Sequence, residues 1–228
     1  MKMNGKEIKA VIFDLDGTVI DTLDDLTDAV NVALKNLSRQ SIDRETTRRF
    51  VGNGVGKLVN RALWHVEGVL SENRHPDYDK ALADFTAYYD KHSADKTHLY
   101  DGVKEMLAAV HALGIKTAVV TNKYDGAAQA LKRKLFPEVN YLIGLKPGIN
   151  PKPSVDGVEA ALDFLGVSRG EAVYVGDGEV DVATAKSAGL PMIAVTWGFR
   201  DRALLESLDP DKIIDRPCEL AEILKPSV

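Results

Sequence analysis

The amino-acid sequence predicts an α/β fold: a doubly wound parallel sheet with a helical insertion after its first strand. Three observations carry that expectation. Short runs rich in Val and Ile, "KAVIFD", "IKTAVVTN", "NYLIG", "AVYVGD" and "PMIAV", end at polar residues or glycine, as parallel strands buried on both faces do. Helix-like segments separate most of them, over roughly residues 102–113, 125–134, 154–165 and 179–188, and such alternation builds a sheet covered by helices on both sides. About a hundred residues lie between Asp14 and Thr121, where a single crossover needs about a dozen or somewhat more.

That excess is the insertion. Residues near 22 to 95 hold no convincing strand and read as amphipathic helices, among them "LDDLTDAVNVALKNL", "VGKLVNRALWHV" and "YDKALADFTAYYDKH". The expected division is an α/β core of residues 1–20 and 96–228 and a helical insertion of residues 21–95. Ligands of open α/β sheets bind outside the carboxyl ends of the strands, so the insertion is expected to overhang that end.

Composition narrows the function classes. The 228 residues are 45% hydrophobic and 28% charged, with a formal net charge of -5, which is ordinary for a globular protein with a sizeable core. Nucleic acid is a poor partner for this chain, because affinity for a phosphate backbone needs clustered positive charge. The one cysteine, Cys218, excludes an internal disulfide and has no Cys or His at zinc-ligand spacing. "MKMNGKEIKA" has no signal-type apolar region and no segment reaches membrane-spanning length. A cytoplasmic protein without membrane association is expected.

The chemistry gathers where apolar strands end in polar residues. Asp14 and Asp16 follow the run Val11–Phe13; two apart, they share a side in an extended chain and converge on one ligand. Gly17 behind them lets a substituent approach the backbone closely. Thr121 and Asn122 offer a hydroxyl and an amide that donate to an anion without adding charge. Asp177 ends another strand, with Asp181 on the first turn of the following helix. So many carboxylates beside Asp14 call for a divalent cation, and an all-oxygen set without His or Cys suits Mg2+. Lys146 and Lys152 are the candidates for a positive group facing a phosphate, and Lys152, before Pro153 at a helix start, is the favoured one.

In chain order "FDLDGT", "VVTN", "PKPSVDGVEAAL" and "VYVGDGEVDVATAKSAG" resemble the motifs of the haloacid dehalogenase superfamily of phosphohydrolases, over essentially the whole chain. Within it, "FVGNGVGKLVNRAL", "YYDKH", "VTNK", "VTWGF" and "PDKIID" are similar to bacterial phosphoglycolate phosphatases. The resemblance implies a Rossmann-like core with an inserted α-helical cap, acting as monomer or homodimer on a small-molecule phosphate ester. It implies that Asp14 attacks phosphorus, that Asp16 protonates the leaving oxygen and then activates water, and that Thr121 and Asn122 hold phosphate oxygens. Lys152 would offset the negative charge. Mg2+ would sit on Asp14, the Asp16 carbonyl oxygen and Asp177, with Asp181 bound directly or through water. The sequence departs from the family pattern at Gly178, often Ser or Thr, with Glu179 beside it, and at Val155, where proline is frequent. In the cap, Asn53, Lys57 and Arg61 are candidates for recognising a carboxylate on the leaving group.

Overall fold

The computed structural model describes residues 2, 3 and 6–225. The chain divides into two compact units, one running to Ile20 and resuming at Leu99, the other spanning Asp21–His98.

The first unit is built on a six-stranded sheet: β1 (Ala10–Phe13), β2 (Lys116–Tyr124), β3 (Tyr141–Leu145), β4 (Ala172–Gly176), β5 (Met192–Val195) and β6 (Lys212–Ile214), in the order β6-β5-β4-β1-β2-β3. Every neighbouring pair is parallel. β1 is central, its residues Ala10 to Phe13 level with Lys116 to Val119 of β2 and with Ala172 to Val175 of β4. All residues of β1 and β4 are buried, which is why these runs show no alternation of apolar and polar side chains.

Helices α5 (Val103–Ala112), α6 (Asp125–Leu135), α7 (Asp156–Leu165), α8 (Glu179–Ala188), α9 (Arg202–Ser207) and α10 (Cys218–Leu224) complete this unit, numbered after four helices of the second. Ile12, Val120 and Tyr174 of the sheet pack with Val158 and Leu162 of α7 and Ala185 of α8 in one apolar core. The packing of α7 is close: a Cβ on Gly157 would lie 2.6 Å from Val120 Cγ1. From β1 the chain builds outward to β2 and β3, then crosses to begin β4 on the other side of β1. The strand order therefore reverses between β1 and β4, and their carboxyl ends open on the crevice where such sheets bind ligands.

β2 differs from its sequence expectation. It pairs regularly with β3 up to Val120↔Ile143 and resumes at Tyr124↔Leu145, so the strand continues past Thr121 and Asn122 through an irregularity that re-aims side chains, as bulges do. The strand β6 and the helices α9 and α10 have no counterpart in the sequence reading.

The second unit holds α1 (Leu23–Asn36), α2 (Arg44–Phe50), α3 (Val55–Val66) and α4 (Tyr78–His92), with Leu26, Ala33, Leu58, Leu63 and Phe85 buried. α2, "RETTRRF", lacks an apolar period; its start is set by the Asp43 carboxylate, which accepts the Thr46 N–H at 2.7 Å. Buried Asp25 accepts the N–H groups of Lys96 at 3.0 Å and Thr97 at 2.9 Å and the Thr97 hydroxyl at 2.7 Å. Those bonds keep residues 96–98 with the helices, past the boundary at 95 read from the sequence. No helix among the described residues is long and apolar enough to cross a membrane.

Candidate active site

β1 stops at Phe13, and the Asp14 N–H still reaches the Val175 carbonyl at 2.8 Å. The next residues form a tight loop in which the N–H groups of Val19 and Ile20 both return to the Leu15 carbonyl, at 3.0 and 3.1 Å. Gly17 makes this loop possible. Its φ is +93°, and a Cβ there would lie 2.4 Å from Asp177 Oδ2, so both the turn and the carboxylate's proximity require the missing side chain. Gly198 does the same from the loop after β5, where a Cβ would sit 2.3 Å from the Gly17 carbonyl oxygen.

Asp14, Asp177 and Asp181 each place a carboxylate oxygen so that all three atoms lie within 4.8 Å of one another. Lys152 is driven into this group: its Nζ lies 2.6 Å from Asp14 Oδ1 and 2.8 Å from Asp181 Oδ1, with the side chain 4% exposed. Asn122 fixes the lysine's backbone, its Oδ1 accepting the Lys152 N–H at 2.7 Å and its Nδ2 donating to the Lys152 carbonyl at 3.3 Å. The Asn122 amide expected to face an anion is therefore engaged with Lys152. Lys146, the other lysine weighed from the sequence, is exposed on the loop after β3.

The remaining carboxylate contacts explain how acids survive together. Asp181 Oδ2 accepts the N–H groups of Asp177 and Gly178, both at 3.1 Å, the open end of α8 favouring negative charge. Asp177 Oδ2 accepts the Phe199 N–H at 2.7 Å, and Thr18 Oγ1 approaches its Oδ1 at 3.4 Å. Glu179 turns instead to Arg200, Oε2 to Nε at 2.8 Å. Asp16 stands apart from the carboxylate triple and pairs with Lys123, Oδ1 to Nζ at 2.7 Å. Asp14 and Asp16 thus each take a separate lysine.

The buried Asp177 and Asp181 and the partly buried Asp14, set against the Lys152 ammonium, leave surplus negative charge. Burial, and then the Asp181 charge, push the Asp14 carboxyl well above its ordinary value although Lys152 opposes them. Burial and Asp181 likewise raise Asp177, from 3.8 to about 7. Burial alone would strip the Lys152 proton, but Asp14 and Asp181 outweigh it and hold that ammonium well above its usual pKa. Close buried carboxylate oxygens that hold on to protons suit a divalent cation, which would satisfy the same charge.

Asn53, Lys57 and Arg61 all belong to the helical unit. Arg61 Nη1 donates to the Phe50 carbonyl and to Asn53 Oδ1, both at 3.1 Å, while Lys57 Nζ pairs with exposed Glu72 at 3.0 Å.

Sequence reading did not single out Lys123, Tyr174, Thr18 or the Phe199 N–H. Tyr174 carried a signal: a phenol inside an apolar strand needs a polar partner, and its Oη meets Lys152 Nζ at 3.3 Å and Asp181 Oδ1 at 3.4 Å. Lys123 lay within the quoted segment VTNK, but its partner could not be read there, because its direction follows from the irregular stretch of β2.

The model of the haloacid dehalogenase-like hydrolases matches residues 11–195, spanning β1 through β5. The chain belongs to this family. Among curated haloacid dehalogenase-like relatives, the phosphoglycolate phosphatase of Chromobacterium violaceum is 33% identical over 230 residues, covering 98% of this chain and 99% of its own. The phosphoglycolate phosphatase of Rhodospirillum rubrum is 37% identical over 198 residues, covering 84% and 80%. A crystal structure from Lactobacillus delbrueckii subsp. bulgaricus superposes with a TM-score of 0.92 at 33% identity, covering 97% of this chain and 100% of the other. The recognised family and the α/β sheet with flanking helices are both borne out by these relationships.

The electrostatics predict a linked response to metal and pH. A carboxyl raised from 3.8 to about 7 in the fold contributes stability below the lower value and loses it as pH rises through the higher one. A cation held by the ionised carboxylates gains affinity over the same window. Mg2+ at a hundred times its dissociation constant stabilises by about 2.7 kcal/mol, a Tm rise of roughly 5–10 °C for a chain of this size. Thermal melts with Mg2+ against EDTA should show that rise near pH 8, a much smaller one near pH 5, and its loss in Asp177→Asn. Equal shifts at both pH values would contradict the account.

Proposed function

We propose that this enzyme hydrolyses 2-phosphoglycolate with Mg2+, through an aspartyl phosphate formed on Asp14. A hydrolase of phosphoric monoesters is what the family and the curated relatives together support. The observation that carries the mechanism is Lys152 Nζ, buried against Asp14 Oδ1 and Asp181 Oδ1 at 2.6 and 2.8 Å, with Asp177 beside them.

Two unit charges 4 Å apart repel by about 4 kcal/mol at an effective dielectric of 20, so a carboxylate meets a phosphate dianion only if positive charge is in place. Lys152 supplies part of it. Mg2+ held by Asp14, the Asp16 carbonyl and Asp177, with Asp181 directly or through water, would supply the rest and bind a phosphate oxygen. Lys152 Nζ and the Leu15 N–H both fall on Asp14 Oδ1, the latter at 2.6 Å, which leaves Oδ2 to attack. The Asp14–phosphorus bond forms as the ester bond to glycolate breaks, and Asp16 gives its proton to the departing oxygen. Asp16 then takes a proton from water as that water attacks phosphorus, releasing phosphate and restoring Asp14. Splitting one displacement into two in this way is covalent catalysis, and its demands are mainly position and charge. Thr121, buried in β2 where its pairing with β3 becomes irregular, is assigned to a phosphate oxygen, and Asn122 to holding the Lys152 backbone. The helical unit is assigned the role of a cap, with Asn53, Lys57 and Arg61 recognising the substrate carboxylate.

Release of inorganic phosphate from 2-phosphoglycolate, sugar phosphates, nucleotides and pyrophosphate tests the reading. Wild type should favour phosphoglycolate and stop with EDTA, and Asp14→Asn should lose about a thousandfold or more. Preference for another ester would retain the mechanism and replace the substrate. No Asp14-dependent release from any of them would overturn both. For the cap residues, Arg61→Ala should raise KM for phosphoglycolate on the order of tenfold, the scale of one charge-assisted contact. An unchanged KM in Arg61→Ala and Lys57→Ala would remove them from recognition.

A further inference from the structure

Lys152 serves Asp14 and Asp181, and its role follows the family pattern. A second buried lysine in the same unit, the one that ends the segment VTNK, has no role assigned to it so far. Lys123 lies two residues beyond Thr121, inside the irregular stretch where β2 leaves register with β3. Its side chain is 5% exposed, and its Nζ sits 2.7 Å from Asp16 Oδ1.

The backbone of Lys123 is held on two sides. Its N–H donates to Thr121 Oγ1 at 3.1 Å. Its carbonyl oxygen lies where a Cβ on Gly144 of β3 would come within 2.4 Å, so only a glycine in β3 allows the two strands this approach. A lysine bonded at its N–H, closely packed at its carbonyl and buried along its stem has little freedom in where it places its ammonium. Asp16, by contrast, sits in the loop after β1, between Leu15 and Gly17, and its carboxylate is not one of the Asp14–Asp177–Asp181 cluster. The acid in this loop is aimed from the sheet.

We infer that Lys123 is a positioning residue: it holds the Asp16 carboxylate where it meets the leaving-group oxygen, a role that rests on the proposed phosphatase mechanism. Lys152 would then govern the attacking aspartate and Lys123 the proton-transferring one, each through a contact shorter than 3 Å.

Leaving-group chemistry separates this role from a structural one. An alkoxide such as glycolate departs poorly without a proton, whereas 4-nitrophenolate departs without help. kcat/KM extends only to the departure of the leaving group, so it isolates the step in which Asp16 acts as an acid. The experiment compares 2-phosphoglycolate with 4-nitrophenyl phosphate, with Mg2+, for wild type, Lys123→Met and Asp16→Asn, with circular dichroism melts in parallel.

Lys123→Met should lose about 10- to 100-fold in kcat/KM on phosphoglycolate, with the loss in kcat and KM nearly unchanged, and far less on 4-nitrophenyl phosphate. Asp16→Asn should show the same skew more strongly. If Lys123→Met does not fold, Lys123→Gln, whose amide still hydrogen bonds, carries the same comparison and should show the same skew at smaller size. Equal losses on both esters, a loss confined to KM, or no loss in a folded variant would each overturn the inference; the KM outcome would make Lys123 a contact for the substrate carboxylate. Wild type inactive on both esters would defeat the phosphatase reading and this role with it, whereas active wild type with unskewed variants defeats this role alone.

Discussion

The structure of the site depends on one buried ammonium. Lys152 Nζ, between Asp14 and Asp181, is the group that lets three carboxylates from two separate stretches of chain approach one another. Removing one partner of such a buried pair typically costs about 3–5 kcal/mol, because the other charge is left uncompensated. The surrounding hydrogen bonds follow from that demand. Asn122 holds the lysine's backbone, Tyr174 offers its hydroxyl from β4, and the N–H groups of Asp177 and Gly178, just before α8, donate to the remaining Asp181 oxygen. The ammonium does not balance the full charge, as the raised Asp14 and Asp177 carboxyls show. The imbalance is the physical reason to place a divalent cation there.

The fold delivers these groups through the reversal of strand order. β1 and β4 are neighbours whose following loops carry Asp14 and Asp177, and β2 on the other side of β1 brings Thr121 and Lys123. A parallel sheet sends every carboxyl end the same way, so residues more than a hundred positions apart, such as Asp16 and Lys123 with a separation of 107, meet without long loops. Gly17 and Gly198 then admit the Asp177 carboxylate at distances no side chain would permit.

Much of this was legible in the sequence, and the exceptions have physical causes. The strands from β1 to β5 were readable because burial on both faces leaves short, continuous apolar runs. β6 was not: it is an edge strand of three residues, "KII", with Lys212 exposed, too short to show a pattern. α2 was hidden because a capping aspartate, and no apolar stripe, defines its start. The Asp-x-Asp pair was recognised, but the separate lysine partners of its two carboxylates were not. The chain leaves β1 at Phe13, and each aspartate finds its own lysine. Lys152 was favoured over Lys146 from its place at a helix start, whereas Lys123 stood only within the segment VTNK, and its pairing with Asp16 depends on the register shift in β2.

The central claim is that Asp14 itself bonds to phosphorus. Acid-quenching the enzyme during turnover of 2-phosphoglycolate with Mg2+, then mapping its peptides by mass spectrometry, tests it most directly. The account predicts a phosphoryl adduct on Asp14, absent from Asp14→Asn and from enzyme quenched without substrate. Turnover with the adduct on another residue, or with none at any quench time, would contradict it.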